Sequence, residues 1–573
     1  MKNKHLLLLA TTITILFTAC TKKNTQGKLV PNNAAMVLHV NGQSILSKLS
    51  WDEIKQNKIF EAIYSDSAVN TTFKKLLDDP AKAGIDINGD LLVYLVKDST
   101  GGYVVMQGSV KDAAALASFN KELTGGGTAS QTDGISFISK APVCAGWSSE
   151  KFVYLADVPQ MKEMDDLTKR LMRDSINIAP AAMPRDILAA CKNIFQLKES
   201  NSLATDEKFS RLMEQKGDVH VWINSEYLNN SADALAALSM VRLDKLYKGN
   251  ITTFTASFDE GKIVLNGHSY AGDELTKLFK KYSGGKVNEE MLKRMPGKNI
   301  LALIGLNFKP EGLHEFLKLL NIDGFITLGL NSLGMNTDDF IKANKGDVVF
   351  GISDFTLKPD TSSNYLYQQN GLAEPNHLKP AANYVFTVSI KDKDAFNKLI
   401  NAGKKLGGQY LGTDAPATAY NSNGNYFVLG NTKENTDQYL AGTNSSNDIV
   451  SKISGAPFTG YVNLQMLLKT ISAQPQKDSL DKAMMEVNSN FWDNLIWKGG
   501  DFEDGGITQK AEIQLLDKNT NSLKQLNQYI NKMGEMVSLK RKKQREAMMA
   551  FEDAAILPIM PQQKIADAPA TAH

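Results

Sequence analysis

Tyr103-Val104-Val105, followed by Val110-Lys111-Asp112-Ala113-Ala114-Ala115-Leu116 and then Phe119, has a counterpart far down the chain in Tyr384-Val385-Phe386, followed by Ile390-Lys391-Asp392-Lys393 and then Phe396. In each stretch a β-branched and aromatic run suited to a strand meets an aspartate placed to cap a helix N-terminus. Four more pairs flank this one in the same order. Ala35-Met36-Val37-Leu38-His39-Val40 after Pro31 matches Ile300-Leu301-Ala302-Leu303-Ile304-Gly305 after Pro296. Gly89-Asp90-Leu91-Leu92-Val93-Tyr94 matches Gly346-Asp347-Val348-Val349-Phe350-Gly351. Val219-His220-Val221-Trp222-Ile223-Asn224 after Gly217 matches Gly460-Tyr461-Val462-Asn463. Phe258-Asp259-Glu260-Gly261 matches Phe502-Glu503-Asp504-Gly505, each between alternating strands. Five landmarks in one order read as internal repetition, with two tandem copies over residues 29–285 and 292–537.

Within each copy, period-two apolar runs such as Ile263-Val264-Leu265 predict strands, and Asp-Gly turns predict hairpins. The expected fold class is α+β: mostly antiparallel sheets with packed helices. The copies depart from each other in three places. Copy one turns tightly through Asp98-Ser99-Thr100-Gly101-Gly102, where copy two has a polar loop from Lys358 to Ala382. That loop has two readings: a tolerated excursion, or a recognition surface carried by Tyr365, Tyr367 and His377. Copy one carries a helical expansion from Met161 to Glu214. Copy two ends in a helix whose apolar stripe is Leu523, Leu526, Ile530, Met533 and Val537. Residues 538–573 follow as a polar helix end and a disordered tail. The run Lys540-Arg541-Lys542-Lys543-Gln544-Arg545 reads as a solvated helix end or as a contact for anionic lipid headgroups.

The N-terminus has the parts of an export signal. Lys2, Lys4 and His5 precede an apolar run from Leu6 to Phe17, at roughly 12 residues too short to cross about 30 Å of hydrocarbon as a helix. Phe17-Thr18-Ala19-Cys20 resembles the lipobox of bacterial lipoproteins, with Phe17 where leucine is usual. The resemblance implies a signal peptide over residues 1–19 and acylation, palmitate included, at Cys20, which would partner the lipid bilayer. Residues 20–28 read as a tether. Thr21 to Lys28 lacks Asp and Glu. Surface-exported lipoproteins of the Bacteroidetes typically carry an acidic patch there, so the resemblance implies the periplasmic face of the outer membrane.

The signal, the opening strand after a proline and the paired Lys-Asp-led helices together resemble the Bacteroidetes lipoproteins with a domain of unknown function (DUF4836-like). That family brings no assigned activity, so no catalytic residue is carried over.

A length of 573 residues implies more than one compact core. A formal net charge of +2 gives no electrostatic case for nucleic acid. After Cys20 only Cys144 and Cys191 remain, and Cys191 falls on an apolar helical face as a core residue; a Cys144–Cys191 disulfide is the alternative. None of the seven histidines has the spacing of a helical zinc site. His39, His220 and His268 lie in strand-like runs and read as strand residues. Asp86-x-Asn88-x-Asp90 starts like a calcium loop, but Leu91 and Lys97 stand where Gly and Glu are needed. Ser283-Gly284-Gly285-Lys286 has the Ser-x-x-Lys spacing at a helix end, where the lysine cannot reach the serine. Trp147 and Trp222 read as core, while Trp492 and Trp497 are the surface candidates for sugar stacking. No catalytic, cofactor-binding or metal-ligating residue is predicted, and no cofactor.

The leading expectation is therefore a non-catalytic binding or scaffolding lipoprotein of the envelope, with an envelope protein or glycan as partner. A hydrolase of envelope or dietary polymers would need two carboxylates about 5–10 Å apart in a cleft. A surface glycan-binding protein would need an exposed aromatic row. The groove between the copies is the expected place for a ligand.

Overall fold

The computed structural model describes residues 26–65, 71–98, 101–158, 185–228, 241–359, 378–410, 419–442, 447–473 and 478–555. Its strands are, in chain order, β1 (Ala34–Val40), β2 (Leu91–Asp98), β3 (Gly101–Ser109), β4 (Ser130–Thr132), β5 (Ile135–Lys140), β6 (Val143–Trp147), β7 (Lys151–Asp157), β8 (Val219–Asn224), β9 (Ile251–Asp259) and β10 (Lys262–Tyr270). They continue with β11 (Ile300–Asn307), β12 (Asn344–Pro359), β13 (Leu378–Ile390), β14 (Ala419–Ser422), β15 (Tyr426–Gly430), β16 (Phe458–Asn463), β17 (Trp492–Glu503) and β18 (Gly506–Leu515). The class is α+β, and these 18 strands form one sheet.

All of the strand pairings are antiparallel. From one edge the order is β4-β5-β6-β7-β3-β2-β1-β8-β9-β10, and β10 then pairs with β18. From β18 the order continues β17-β16-β11-β12-β13-β15-β14. The run β7-β3-β2-β1-β8-β9-β10 and the run β15-β13-β12-β11-β16-β17-β18 thus have the same order of connections. They meet at β10 and β18, whose register runs from Lys262 opposite Gln514 to Ser269 opposite Ile507.

The local chemistry follows the sequence. Asp112 accepts hydrogen bonds from the Ala114 and Ala115 backbone N–H groups at 2.9 and 3.0 Å, starting the helix Ala113–Leu123. Asp392 does the same for Ala395 at 2.8 Å ahead of the helix Lys393–Tyr410. The β17–β18 hairpin needs left-handed backbone at Asp504 and Gly505, with φ of 47° and 83°. The helix Asp273–Tyr282 ends at Ser283, as the Gly284-Gly285 pair predicts.

Residues directly opposite on antiparallel strands point to the same side, so the register sorts side chains onto two faces. On one face Val37, Tyr94, Val105, Leu155 and Trp222 pack under the helices Ile187–Phe195 and Glu207–Glu214. On the same face of the other half, Leu303, Val349, Val385, Tyr461 and Ile496 pack under Glu289–Lys293, Lys433–Ala441 and Asn447–Ile453. The opposite face is covered by Ala113–Leu123 in the first half and by Lys393–Tyr410 in the second. Each large side chain buried in these layers stabilises the fold by about 1.5–3 kcal/mol.

Three expectations need correction. The stretch from Lys358 to Ala382 is not all loop: β12 runs to Pro359 and β13 starts at Leu378, with Lys358 opposite Lys379 and Thr356 opposite Ala381. Alternation simply continues into residues whose polar composition disguised it. In the C-terminal helix, Ser522–Ala555, Ile530 is 40% exposed while Ser522, Gln525 and Met536 are buried. Gln525 donates to the Asp517 and Thr520 carbonyls at 2.9 and 2.7 Å, while Leu523, Leu526, Met533 and Val537 of the stripe are half-buried. Trp492 and Trp497 are half-buried rather than free. Trp492 stacks edge-on against Phe491 and Tyr529, and the Trp497 ring lies over Gly460, where a Cβ would come within 2.1 Å of it. Trp147 and Trp222 are core, at 5% and 1% exposed. Cys144 and Cys191 are both buried and unbridged. Among the described residues no helix is long and apolar enough to cross a membrane.

Candidate binding site at the seam

Where the two halves of the sheet join, one register row crosses six strands. Lys498 on β17 faces Lys510 on β18, Lys510 faces Asn266 on β10, and Asn266 faces Thr255 on β9. Thr255 faces His220 on β8, and His220 faces His39 on β1. All six side chains therefore share a face. The first four line a cavity of about 560 Å³. Its walls are two loops that enter equivalent strands: Gln215-Lys216 ahead of β8, and Ser454-Gly455-Ala456 ahead of β16. Thr508, Gln509 and His268 complete the polar lining.

The charge is one-sided. Lys216, Lys498 and Lys510 set against Asp501 leave a formal +2 on the lining, three cations less one anion. Like charges directly opposite on paired strands repel, so Lys498 facing Lys510 is a local cost to the sheet. Lys498 relieves part of it by donating to the Ser454 carbonyl at 3.0 Å. Lys510 lies 2.9 Å from Glu512, which Lys262 also approaches at 3.3 Å. Burial pushes Glu512 up, but the two lysines outweigh it and its carboxyl sits below the ordinary value. His268 is pushed down by burial, stacks on Tyr270 at 4.3 Å and has Nε2 3.0 Å from the Glu503 carbonyl. Asp501 is the one carboxylate among the described lining residues, and no Trp, Tyr or Phe is among them. The arrangement can bind an anion. It offers neither a carboxylate pair nor an aromatic platform.

Further along the row lies a pair of histidines that sequence reading treated as separate strand residues. His39 and His220 are each 3% exposed, and their Nδ1 atoms are 3.0 Å apart. His220 Nε2 is 2.9 Å from the Gln215 carbonyl, so that nitrogen carries a proton and donates. A neutral His220 then accepts at Nδ1, and His39 must donate from its own. His39 Nε2 lies 3.3 Å from Asp90 Oδ1, a charge contact without the alignment of a hydrogen bond. Asp90 is held below its ordinary value, first by His39 and then, against the effect of burial, by Gln26. Burial also pushes His220 down. Gln215 belongs to both the histidine chain and the seam cavity. Only the pairing of strands distant in sequence brings these groups together; the sequence shows each histidine in a strand-like run and nothing that joins the two.

Residues 27–415 match the domain of unknown function DUF4836, more than half of the chain. The chain is a member of the DUF4836 family. The DUF4836 match includes Gln215, Lys216, Thr255, Asn266 and His268 and stops short of Lys498 and Lys510, so the cavity straddles its end. No curated protein matches this DUF4836 chain. Two crystal forms of TP0453, III and I, align at 10% and 12% identity. They cover 47% and 44% of this chain and 90% and 81% of TP0453, with TM-scores of 0.24 and 0.21. Scores this low carry no argument about fold or function. Of the predicted site residues, Cys20, Tyr365, Tyr367 and His377 lie outside the described residues. The Asp86-x-Asn88-x-Asp90 segment forms a turn closed by Asn88 N–H on the Asp86 carboxylate at 3.1 Å. Among the described residues no group of three or more His, Cys, Asp or Glu is placed to hold a metal ion.

Proposed function

We propose that this DUF4836 protein is a non-catalytic binding protein of the bacterial envelope, built as two copies of one α+β unit and anchored by an acylated Cys20. Its ligand is a small molecule bearing a phosphate, sulfate or carboxylate group, taken at the seam between copies. The observation that carries this reading is Lys498 directly opposite Lys510, with Lys216 lining the same cavity. Lys498 bonds the Ser454 carbonyl and Lys510 pairs with Glu512, and an anion lying between the two ammonium groups would offset the repulsion that remains. The volume falls in the range of about 300–1,000 Å³ typical of small-molecule sites. The recurring strand order supports duplication, and duplication accounts for equivalent loops facing each other across the cavity. The basic, acid-free segment Thr21 to Lys28 supports placement on the periplasmic face of the outer membrane. An envelope protein or glycan that carries such an anionic group is the natural partner.

The test uses the full chain with Cys20→Ala, titrated calorimetrically with a phosphate monoester, a sulfated disaccharide and a dicarboxylate. At least one should bind. Lys498→Ala with Lys510→Ala should weaken it by about tenfold or more, since a hydrogen bond to a charged group contributes about 1.5–3 kcal/mol. Affinity should also fall with added salt. No binding by any anion, or equal binding by the double variant, refutes the reading.

A further inference from the structure

On the other face of the same seam lies a second cavity, of about 320 Å³. Side chains alternate along a strand, so the sequence neighbours of Lys498 and Lys510 point to this face. One row here runs Trp497, Ala511, Leu265 across β17, β18 and β10. The next runs Phe458, Gly499, Gln509, Gly267, Phe254 from β16 to β9. Ala511 and the two glycines make a low floor. Trp497 and Phe458 rise on one side of it, Leu265 and Phe254 on the other. Neighbouring strands lie about 4.8 Å apart, so Phe458 and Phe254 stand roughly 19 Å apart across this trough.

The walls are aromatic and open. Phe458 is 40% exposed and tilts toward Trp497, with ring centroids 6.2 Å apart. Trp497 lies flat on the sheet. A Cβ on Gly460 would sit 2.1, 2.4 and 2.6 Å from Cζ2, Cε2 and Cη2, near-equal distances that put it over the ring rather than at its edge. The opposite face of the indole is left to the cavity. Polar groups stand beside these rings. Gln509 borders both cavities, and the register sends its side chain to this one, where Nε2 donates to Ser269 Oγ at 3.4 Å. Among the described residues the Gln509 carbonyl oxygen, the Thr252 hydroxyl and the Trp497 indole N–H have no partner. Lys498 and Lys510 border the trough but point to the other face, so an anion finds no cation here. A hydrocarbon chain would cover the polar groups without pairing them. A neutral sugar suits both parts. The negative face of an aromatic ring attracts its positively polarised C–H groups, and its hydroxyls both donate and accept.

We infer that this trough binds a neutral oligosaccharide. Trp497 and Phe458 stack on sugar rings, and Gln509, Ser269 and Thr252 bond the hydroxyls. The inference does not depend on the anion site proposed above, which lies behind it on the other face of the same strands.

The test uses the full chain with Cys20→Ala and the neutral probes cellotetraose, xylotetraose, maltotetraose and chitotetraose. Saturation-transfer NMR on the sugar and the shift in tryptophan emission both read binding. At least one probe should bind, with an affinity that added salt leaves unchanged. Gly267→Val fills the floor. A Cβ there meets nothing closer than 3.7 Å, and a β-branched residue suits a strand. Sugar binding should be lost while the melting temperature holds. Trp497→Ala should weaken binding by about tenfold. Gln509→Ala, at an exposed position, should weaken it by about threefold. Lys498→Ala with Lys510→Ala should leave it unchanged. Binding of none of the sugars overturns the inference, including the case where the chain takes 1-octanol instead. Equal binding by Trp497→Ala and Gln509→Ala overturns it whatever Gly267→Val does. Sugar binding that the lysine pair abolishes and Gly267→Val spares belongs to the anion site, and overturns it as well.

Discussion

Replacing Asp218 by alanine should cost this protein about 3 kcal/mol of stability. Asp218 is 1% exposed and holds three elements at once. Its carboxylate accepts from Ser44 Oγ at 2.5 Å, from Lys48 Nζ at 2.6 and 2.8 Å, and from the Phe258 backbone N–H at 2.6 Å. Helix Gly42–Lys48 is thereby tied to the start of β8 and the end of β9. Truncation leaves the half-buried Phe258 N–H and the Ser44 hydroxyl without this acceptor. It also strips Lys48 of its counter-charge. Breaking a buried ion pair on one side costs about 3–5 kcal/mol. The Lys48 side chain is 24% exposed and regains some water, which places the loss at the lower end. Asp218→Asn keeps acceptor geometry and loses the charge, so it should cost about 1–2 kcal/mol. Urea denaturation at neutral pH measures both through the shift in midpoint at constant slope. A double-mutant cycle with Lys48→Ala should return a coupling between about 0.5 and 3 kcal/mol. A loss below about 1 kcal/mol for Asp218→Ala, or equal losses for alanine and asparagine, would show that water replaces the carboxylate and that the three-way tie is not structural.

Acidification gives a second measurement. Burial holds His220 and His268 below the ordinary histidine value of 6.5, so below that pH the unfolded chain binds protons that the native chain refuses. Their contribution is complete above 6.5 and is lost as pH falls through that value; His220→Gln should flatten the slope of urea stability between about pH 6.5 and 5. Met536→Ala should destabilise by about 2 kcal/mol, because Met536 is 8% exposed, whereas Ile530→Ala should change stability by less than about 0.5 kcal/mol. Reversed effects in urea would restore the apolar stripe as the buried face. Replacing residues 360–377 by Asp-Ser-Thr-Gly-Gly, with Pro359 and Leu378 kept as the last paired residues, should leave the melting temperature within a few degrees. A large drop would place that segment in the core. An unchanged melt with lost crosslinking to envelope partners would give Tyr365, Tyr367 and His377 their recognition role.

Local signals in the sequence were read correctly wherever the deciding interaction is short-range. Asp112 and Asp392 cap helices because a carboxylate two or three residues before an N–H needs nothing else. β10 follows from the alternation of Ile263-Val264-Leu265 and its neighbours. Cys191 lies on the inner face of its helix at 0% exposed because the helical period alone puts it there. The site was less legible. Lys498 and Lys510 are twelve positions apart and look like two unremarkable surface lysines until the β17–β18 register sets them face to face. The histidine pair is separated by 181 positions, and nothing near His39 announces His220. The C-terminal helix shows the converse. Its three-and-four spacing holds for Leu523, Leu526, Met533 and Val537, which are half-buried, but Ile530 is exposed and Gln525 is buried through bonds to the carbonyls ahead of the helix.

The β10–β18 ladder has a consequence for any attempt to divide the molecule. Eight residues of β10, Lys262 to Ser269, take their outer partners from β18. A chain stopped after Tyr282 would still have its strands up to β10, yet would expose that whole rung of N–H and C=O groups to solvent. Such an edge is a template for another strand of the same length. The half-chain should therefore come off a sizing column as a homodimer or as aggregate rather than as a monomer. In the full chain the second half acts as a tethered edge cap, always present at the right stoichiometry, and the first half never meets a stranger there.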